Sequence, residues 1–286
     1  MIHWLLDPFQ SDFSQRAGLI VLMVGILAPV VGTWVSLRRL AYMGDAMSHS
    51  LLGGVAIGFA WFGSAAVLPG ALVAGILMAL TIHYLSQNRR VAHDSVIAIV
   101  GSGMFAFGIL ALSKINTTVS LIHFLFGQLL TVNIQDLWIT VVLTVLSIGF
   151  VWFKFDDLKF ATFDRDHATQ VGIKVQQLDA AMLVLLAVCV VVCLSTVGTV
   201  LTVSLLITPS ATARLYFNRI ESITLAGVVI GLIEVFAGFI VTYHLDISPG
   251  PTIALITTTV FVICYTIQFA TSDRTYVHHT HQHEHH

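Results

Sequence analysis

Asp45 and His49 are the residues of this sequence best suited to binding a metal ion. They are four positions apart in an apolar segment, so on a helix their side chains share one face, about one turn apart. A carboxylate and an imidazole form half of a coordination shell for zinc or manganese, and Ser48 and Ser50 are close enough in sequence to orient the ligands. The competing interpretation is an Asp–His pair that only neutralises itself. The apolar setting favours the metal site, because ionisable side chains there are costly without a use.

Three further ionisable residues are weaker candidates for metal contact. Asp246 follows an apolar segment in a proline-rich turn, where its competing role is to cap the turn. Glu234 lies near the middle of that segment, which indicates a function, although the sequence shows no partner for it. His123 lies in a short apolar stretch, and an imidazole exposed at the membrane interface is the alternative there.

The chain ends in a histidine-rich tail, residues 274–286, that we predict to be an accessory cytosolic metal buffer or sensor. Thr, Gln and Glu interrupt the histidines, which is typical of a native sequence rather than an affinity tag. Neutral imidazoles are preferred ligands of zinc, copper and nickel. The tail carries His278, His279, His281, His283, His285 and His286.

Composition indicates which class of protein carries these residues. Of the 286 residues, 57% are hydrophobic and 10% are charged, whereas soluble domains contain about 25% charged residues. This balance excludes a soluble enzyme and a disordered chain. The net charge of -2 offers no basic surface for nucleic acid. The remaining class is an all-α polytopic membrane protein, with residues 1–273 as its transmembrane domain.

Apolar segments of spanning length predict about nine transmembrane helices, eight or nine in all. Arginine and lysine residues follow alternate segments, which places the N-terminus outside and the C-terminus in the cytosol. Residues 115–135 then begin and end on the outer side, so they form either a re-entrant segment or an external interfacial helix. The predicted spans are 17–37, 41–62, 65–86, 95–113, 136–153, 179–197, 199–217, 222–244 and 250–270.

The sequence contains no GxxxxGK[ST] phosphate-binding loop, so uphill transport would need a partner ATPase or an ion gradient. The cytosolic loop 154–178 mixes charged residues with Phe160, Phe163 and Val171, a composition typical of a short docking helix. Pro209 interrupts one predicted span and marks either a gate or a packing kink.

Five stretches in order resemble the membrane permease of the metal-specific ABC importers, and they cover most of the chain between residues 15 and 270. They are VGTWVSLRRLAYMGDAMSHSLLGGVAIG, FLFGQLL, FDRDHATQVGI, GTVLTVSLLITPSATAR and LDISPGPTIAL.

The resemblance implies a dimer of permeases in the bacterial cytoplasmic membrane that works with two cytosolic ATPases. A lipoprotein or periplasmic solute-binding protein delivers the metal, which is cargo rather than a tightly bound cofactor. Asp45 and His49 match the residues expected to contact the metal, and Asp246 matches an acidic position of the last stretch. The cytosolic coupling helix is matched by Asp164, Ala168 and Gly172.

Zinc is the expected metal, with manganese or iron as the alternatives. The stretch SHSLLGGVA has Leu-Gly-Gly where manganese members of the family are associated with Leu-Pro-Gly, and the histidine tail also favours zinc. Two other classes remain open from the residues alone. One is a proton-coupled secondary transporter that uses Glu234, Asp45 and His49; the other is a membrane scaffold or receptor that transports nothing.

Overall fold

The structure, a computed structural model, describes residues 12–63, 66–88, 90–114, 134–245 and 247–280. Within these ranges every regular element is an α-helix, which confirms the all-α class. In chain order the helices are α1 (Asp12–Leu37), α2 (Ala41–Ser50), α3 (Leu52–Phe62), α4 (Val67–Ser86), α5 (His93–Lys114), α6 (Ile134–Phe153), α7 (Phe155–Phe163), α8 (Arg165–Gln170), α9 (Val175–Val197), α10 (Thr199–Tyr216), α11 (Ile220–Leu245) and α12 (Pro249–Thr280).

Six of the helices in the described ranges are long and apolar enough to cross a membrane, namely α1, α4, α5, α9, α11 and α12. A seventh span results if α6 and α7, which are bent by 64° relative to each other, count as one. The predicted number of eight or nine spans is therefore not confirmed. Nearly all of residues 115–135 lies outside the described ranges.

Two predicted spans account for the difference. Residues 41–62 divide at Leu51 into α2 and α3, which have 10 and 11 residues, and each is too short to cross a bilayer alone. The second is α10, whose serines and threonines, together with Pro209 and Arg214, make it too polar. Both predicted spans that are not confirmed lie in segments with many polar or small residues. In such segments the length alone overestimates the ability to cross the membrane.

The centre of the bundle is formed by α1 and α9. Helix α1 contacts α6, α9, α10 and α11. Helix α9 contacts α4 as well as α1. The most apolar windows of α1 and α9 are 78% and 72% buried, whereas those of α12 and α5 are 17% and 22% buried. The outer helices therefore present most of their apolar surface to lipid or to another protein.

The closest approach between α1 and α10 occurs at Gly32. A Cβ atom added there would lie 1.7 Å from the carbonyl oxygen of Leu206. Beside it, the hydroxyls of Thr33 and Ser210 donate hydrogen bonds of 2.9 and 3.0 Å to the carbonyl oxygen of Pro29. Small residues and hydroxyl groups of this kind let membrane helices pack closely and bond to each other.

We predict that Gly32→Ala lowers the free energy of unfolding by about 1–3 kcal/mol, the usual range for overpacking a core. The added methyl group overlaps the Leu206 carbonyl oxygen, so α1 and α10 must separate. Thermal unfolding in detergent micelles measures the effect. Gly149→Ala is the matched control, since a Cβ there meets no atom within 4 Å. Equal losses in the two variants would contradict this assignment.

Candidate metal site and coupling segment

Helix α2 presents a polar stripe on its open side, formed by Tyr42, Asp45 and His49. These residues recur at spacings of three and four, so they lie on one face of the helix. The side chains of Asp45 and His49 are 51% and 48% exposed. The prediction that the two share a face is confirmed.

The opposite side of α2 is fixed by its neighbours. A Cβ atom at Gly44 would lie 2.8 Å from Cδ2 of Leu206 in α10, so glycine here lets the Leu206 side chain pack directly against α2. The Ser50 hydroxyl donates to the carbonyl oxygen of Gly101 in α5 at 2.9 Å. The Ser48 hydroxyl is also buried and donates to the Gly44 carbonyl oxygen at 2.9 Å. The expectation that these serines orient the metal ligands is therefore wrong, because they bond to backbone on the buried side.

The distance between Nε2 of His49 and Oδ1 of Asp45 is 3.8 Å. This is too long for a hydrogen bond. Two metal–ligand bonds of about 2.1 Å each can bridge it, so one ion can contact both side chains. The edge of the His49 ring also packs against Phe105 of α5, with ring centroids 6.5 Å apart. Sequence spacing gave no signal for Phe105, because it lies on a different helix.

One chain supplies only two ligands at this place. Within the described ranges, no group of three or more His, Cys, Asp or Glu residues could hold a metal ion. A half-exposed carboxylate and imidazole are not tolerated against lipid hydrocarbon. The stripe of Tyr42, Asp45 and His49 therefore requires water or a second protein surface beside it.

Glu234 occupies a separate position in the core. It is buried on α11, and neither of its carboxylate oxygens has a hydrogen-bond partner among the described residues. Three residues before it, Gly231 packs against Pro29 of α1 and Pro209 of α10. Glu234 is thus a buried core residue, whereas the stripe of α2 is exposed.

The remaining metal candidates lie outside the part of the chain whose side chains are described. Asp246 and His123 fall between the described ranges. The backbone of α12 includes His278 and His279, and residues 281–286 follow the last described residue. The roles of these residues remain predictions.

The segment predicted to couple to an ATPase, residues 154–178 and called the coupling segment below, folds as α7, α8, a turn and the start of α9. Oδ1 of Asp164 accepts a hydrogen bond of 2.9 Å from the backbone N–H of His167, which caps α8. Gly172 has a φ of +89° and ends α8, with hydrogen bonds from Gly172 N–H to Thr169 and from Ile173 N–H to Ala168. This pattern is a Schellman motif, in which glycine is the usual residue.

Ala168 is fully buried, so the three residues predicted for coupling shape the segment from within. The outer surface is instead formed by Phe160, Phe163 and Val171, which we call the exposed apolar patch. Apolar side chains exposed together at the end of a bundle are typical of a protein contact.

Asp179 in α9 ties this segment to the end of α1. Its Oδ1 lies 2.7 Å from Nη1 of Arg38, and its Oδ2 pairs with Nη2 of Arg165. Nε of Arg38 also donates to the Thr162 hydroxyl at 3.0 Å. Burial lowers the pKa of the Arg38 guanidinium, and the charge and hydrogen bond of Asp179 oppose that shift. The three charges hold α1, α7, α8 and α9 together.

An all-helical bundle with six or seven candidate spans in the described ranges is the architecture of a polytopic membrane protein. The chain belongs to the ABC 3 transport family, whose model matches residues 10–268.

Relatives and a solved structure match over nearly the whole chain. A manganese transport system membrane protein of Halalkalibacterium halodurans is 37% identical over 255 residues, which cover 89% of this chain and 87% of the relative. A chelated iron transport system membrane protein of Yersinia pestis is 33% identical, with 90% and 86% covered. The solved structure of PsaBC from Streptococcus pneumoniae in complex with Fab superimposes with a TM-score of 0.81 at 33% identity, covering 93% of this chain and 95% of that chain. The resemblance inferred from the five sequence stretches is confirmed.

We predict that Asp179→Ala lowers the free energy of unfolding by about 3 kcal/mol, because it leaves the mostly buried Arg38 without its anion. Asp157→Ala is the matched control, since it removes only an exposed pair with Lys154 at 2.9 Å. Such exposed pairs contribute at most about 1 kcal/mol. Thermal unfolding of both variants in detergent compares them. A similar loss in both would mean that Asp179 does not tie the segment to the bundle.

Proposed function

We propose that this chain is the permease subunit of an ATP-driven importer of divalent transition-metal ions. The observation that carries the proposal is the Asp45–His49 pair on the open stripe of α2, spaced for one shared ion. Relatives named for manganese transport and for chelated iron transport support it. The chain is a multi-pass protein of the bacterial cytoplasmic membrane, with its N-terminus outside and its C-terminus in the cytosol.

A second copy of the chain completes the metal site. In a two-fold dimer each surface patch faces its own counterpart, so two Asp45 carboxylates and two His49 imidazoles would surround one path. Four ligands complete a coordination shell. Because the two side chains are half exposed within one chain, the ion can exchange ligands with water. This exchange suits a site that must release its cargo.

A separate ATPase supplies the energy, since the sequence has no phosphate-binding loop of its own. The exposed apolar patch of the coupling segment is the proposed contact surface for that ATPase. On the other side of the membrane, a lipoprotein or periplasmic solute-binding protein delivers the metal. A proton-coupled secondary transporter is less well supported, because Glu234 is buried on α11 rather than on the stripe.

Manganese is the proposed first cargo, and zinc, which the sequence favoured, is the second. The names of the relatives refer to manganese and iron and do not specifically support zinc. The ligand set suits both metals, because carboxylate oxygen favours manganese and imidazole favours zinc.

We predict that Asp45→Ala and His49→Ala each abolish metal uptake without lowering the amount of protein in the membrane. Each change removes half of the ligands that one chain supplies. Uptake of radioactive manganese and zinc in cells measures the effect, and Asp94→Ala, on the exposed first turn of α5, is the control. His49→Asp makes the ligand set harder and should retain more manganese than zinc transport. Uptake at the wild-type rate in either alanine variant would place the path elsewhere.

We predict that Phe163→Asp reduces copurification of the ATPase and metal-dependent ATP hydrolysis, because it places a charge in the exposed apolar patch. Substitution of Ala168 or Gly172 would instead disturb the fold of the segment, since Ala168 is buried and Gly172 has a positive φ. Phe217→Asp is the matched control, because this exposed phenylalanine lies outside the segment. Full ATPase binding by the Phe163 variant would show that the contact lies on another surface.

A further inference from the structure

A polar cleft of about 710 Å³ opens where the ends of α1, α4, α7, α8 and α9 meet. Its walls include Arg38, Arg39, Arg165, His83 and His93. By the topology proposed above, this cleft faces the cytosol at the level of the lipid headgroups. It is distinct from the stripe of α2, although Arg38, Arg165 and Asp179 in its wall also tie the coupling segment to α1 and α9.

The cleft carries excess positive charge. Three arginines and one aspartate line it, so the formal sum is +3 − 1 = +2 with neutral histidines. Both carboxylate oxygens of Asp179 are already used, one by Arg38 and the other by Arg165. Nη2 of Arg38 is buried and has no hydrogen-bond partner among the described residues. An anion in the cleft would offset this excess positive charge.

Arg39 is held in an unusual backbone conformation beside the cleft. Its φ is 59°, and within the described residues it is the only non-glycine residue with a positive φ. Hydrogen bonds from Leu40 N–H to Val35 and from Arg39 N–H to Ser36 end α1 there in a Schellman motif. Glycine is the usual residue at this position, and another residue costs about 1–2 kcal/mol. An arginine kept at that cost points to a use for its charge.

An apolar groove of about 550 Å³ adjoins the cleft at the ends of α4 and α5. It is lined by Tyr84, Leu85, Val96 and Ile99, and Gln87 lines both the groove and the polar cleft. A ligand that fills both therefore has an anionic head and an apolar chain.

We propose that this chain binds an anionic phospholipid, with the phosphate group in the polar cleft and an acyl chain in the apolar groove. Basic pockets between transmembrane helices on the cytosolic side are suited to such headgroups. Free inorganic phosphate has the same chemistry as the headgroup but makes no contact with the apolar groove. A phospholipid should therefore bind more tightly than phosphate, and comparing the two affinities distinguishes the two ligands.

The test uses the full-length chain in detergent, titrated with dioctanoyl phosphatidylglycerol, dioctanoyl phosphatidylcholine and inorganic phosphate. We expect phosphatidylglycerol to bind at least tenfold more tightly than either of the others. Arg39→Gln should weaken that binding about fivefold, and Arg39→Lys should retain it. Arg90→Gln is the matched control, because Arg90 is exposed and lines neither the cleft nor the groove.

The groove is tested separately with Leu85→Asn, which should weaken phosphatidylglycerol binding but leave phosphate binding unchanged. Leu225→Asn, at an exposed leucine of α11, is its control.

Equal binding of the two lipids, or equal effects of Arg39→Gln and Arg90→Gln, would overturn the headgroup assignment. Phosphate binding as tight as phosphatidylglycerol binding would identify free phosphate as the ligand. If Arg39→Gln releases the ATPase while lipid binding persists, the cleft is a protein contact and the proposal is wrong.

Discussion

The cost of placing an ionisable group in apolar surroundings determines where each such group can lie in this protein. A charge removed from water needs an opposite charge, a bound ion or access to solvent. Arg38 meets this condition through Asp179, at 2.7 Å. Asp45 and His49 meet it differently, because they remain half exposed on the open side of α2. In apolar surroundings a stripe of this kind is stable only beside water or another protein surface.

Close backbone approach gives the stripe its position. Leu206 of α10 is contacted from two sides, since its carbonyl oxygen faces Gly32 of α1 and its side chain faces Gly44 of α2. A larger residue at Gly32 would separate α1 from α10, whereas one at Gly44 would displace the end of the Leu206 side chain. Gly44 directly precedes Asp45, so the contact that seats α2 against the core also directs Asp45 to the open side. Asp45 and His49 are therefore positioned by the packing of α2.

The sequence was sufficient for those features that depend on local spacing. The all-α class, the shared face of Asp45 and His49 and the family all follow from composition, helical periodicity and ordered motifs. Features that depend on tertiary contacts could not be predicted. The hydroxyl of Ser50 bonds to Gly101, 51 residues away, and Arg38 pairs with Asp179, 141 residues away. Likewise, the resemblance matched Ala168 to the coupling helix, whereas its burial depends on the helices around it.

The packed contacts also connect the segment 154–178 with the helix that carries Asp45 and His49. The coupling segment is bonded to Asp179, and Asp179 is bonded to Arg38 directly after α1. Along α1, Gly32 contacts Leu206, and Leu206 in turn contacts Gly44 beside Asp45. Each step is a close contact or a charged pair, and tightly packed interfaces shift between discrete arrangements rather than deforming smoothly. These contacts therefore form one continuous path from the segment 154–178 to the helix that carries Asp45 and His49.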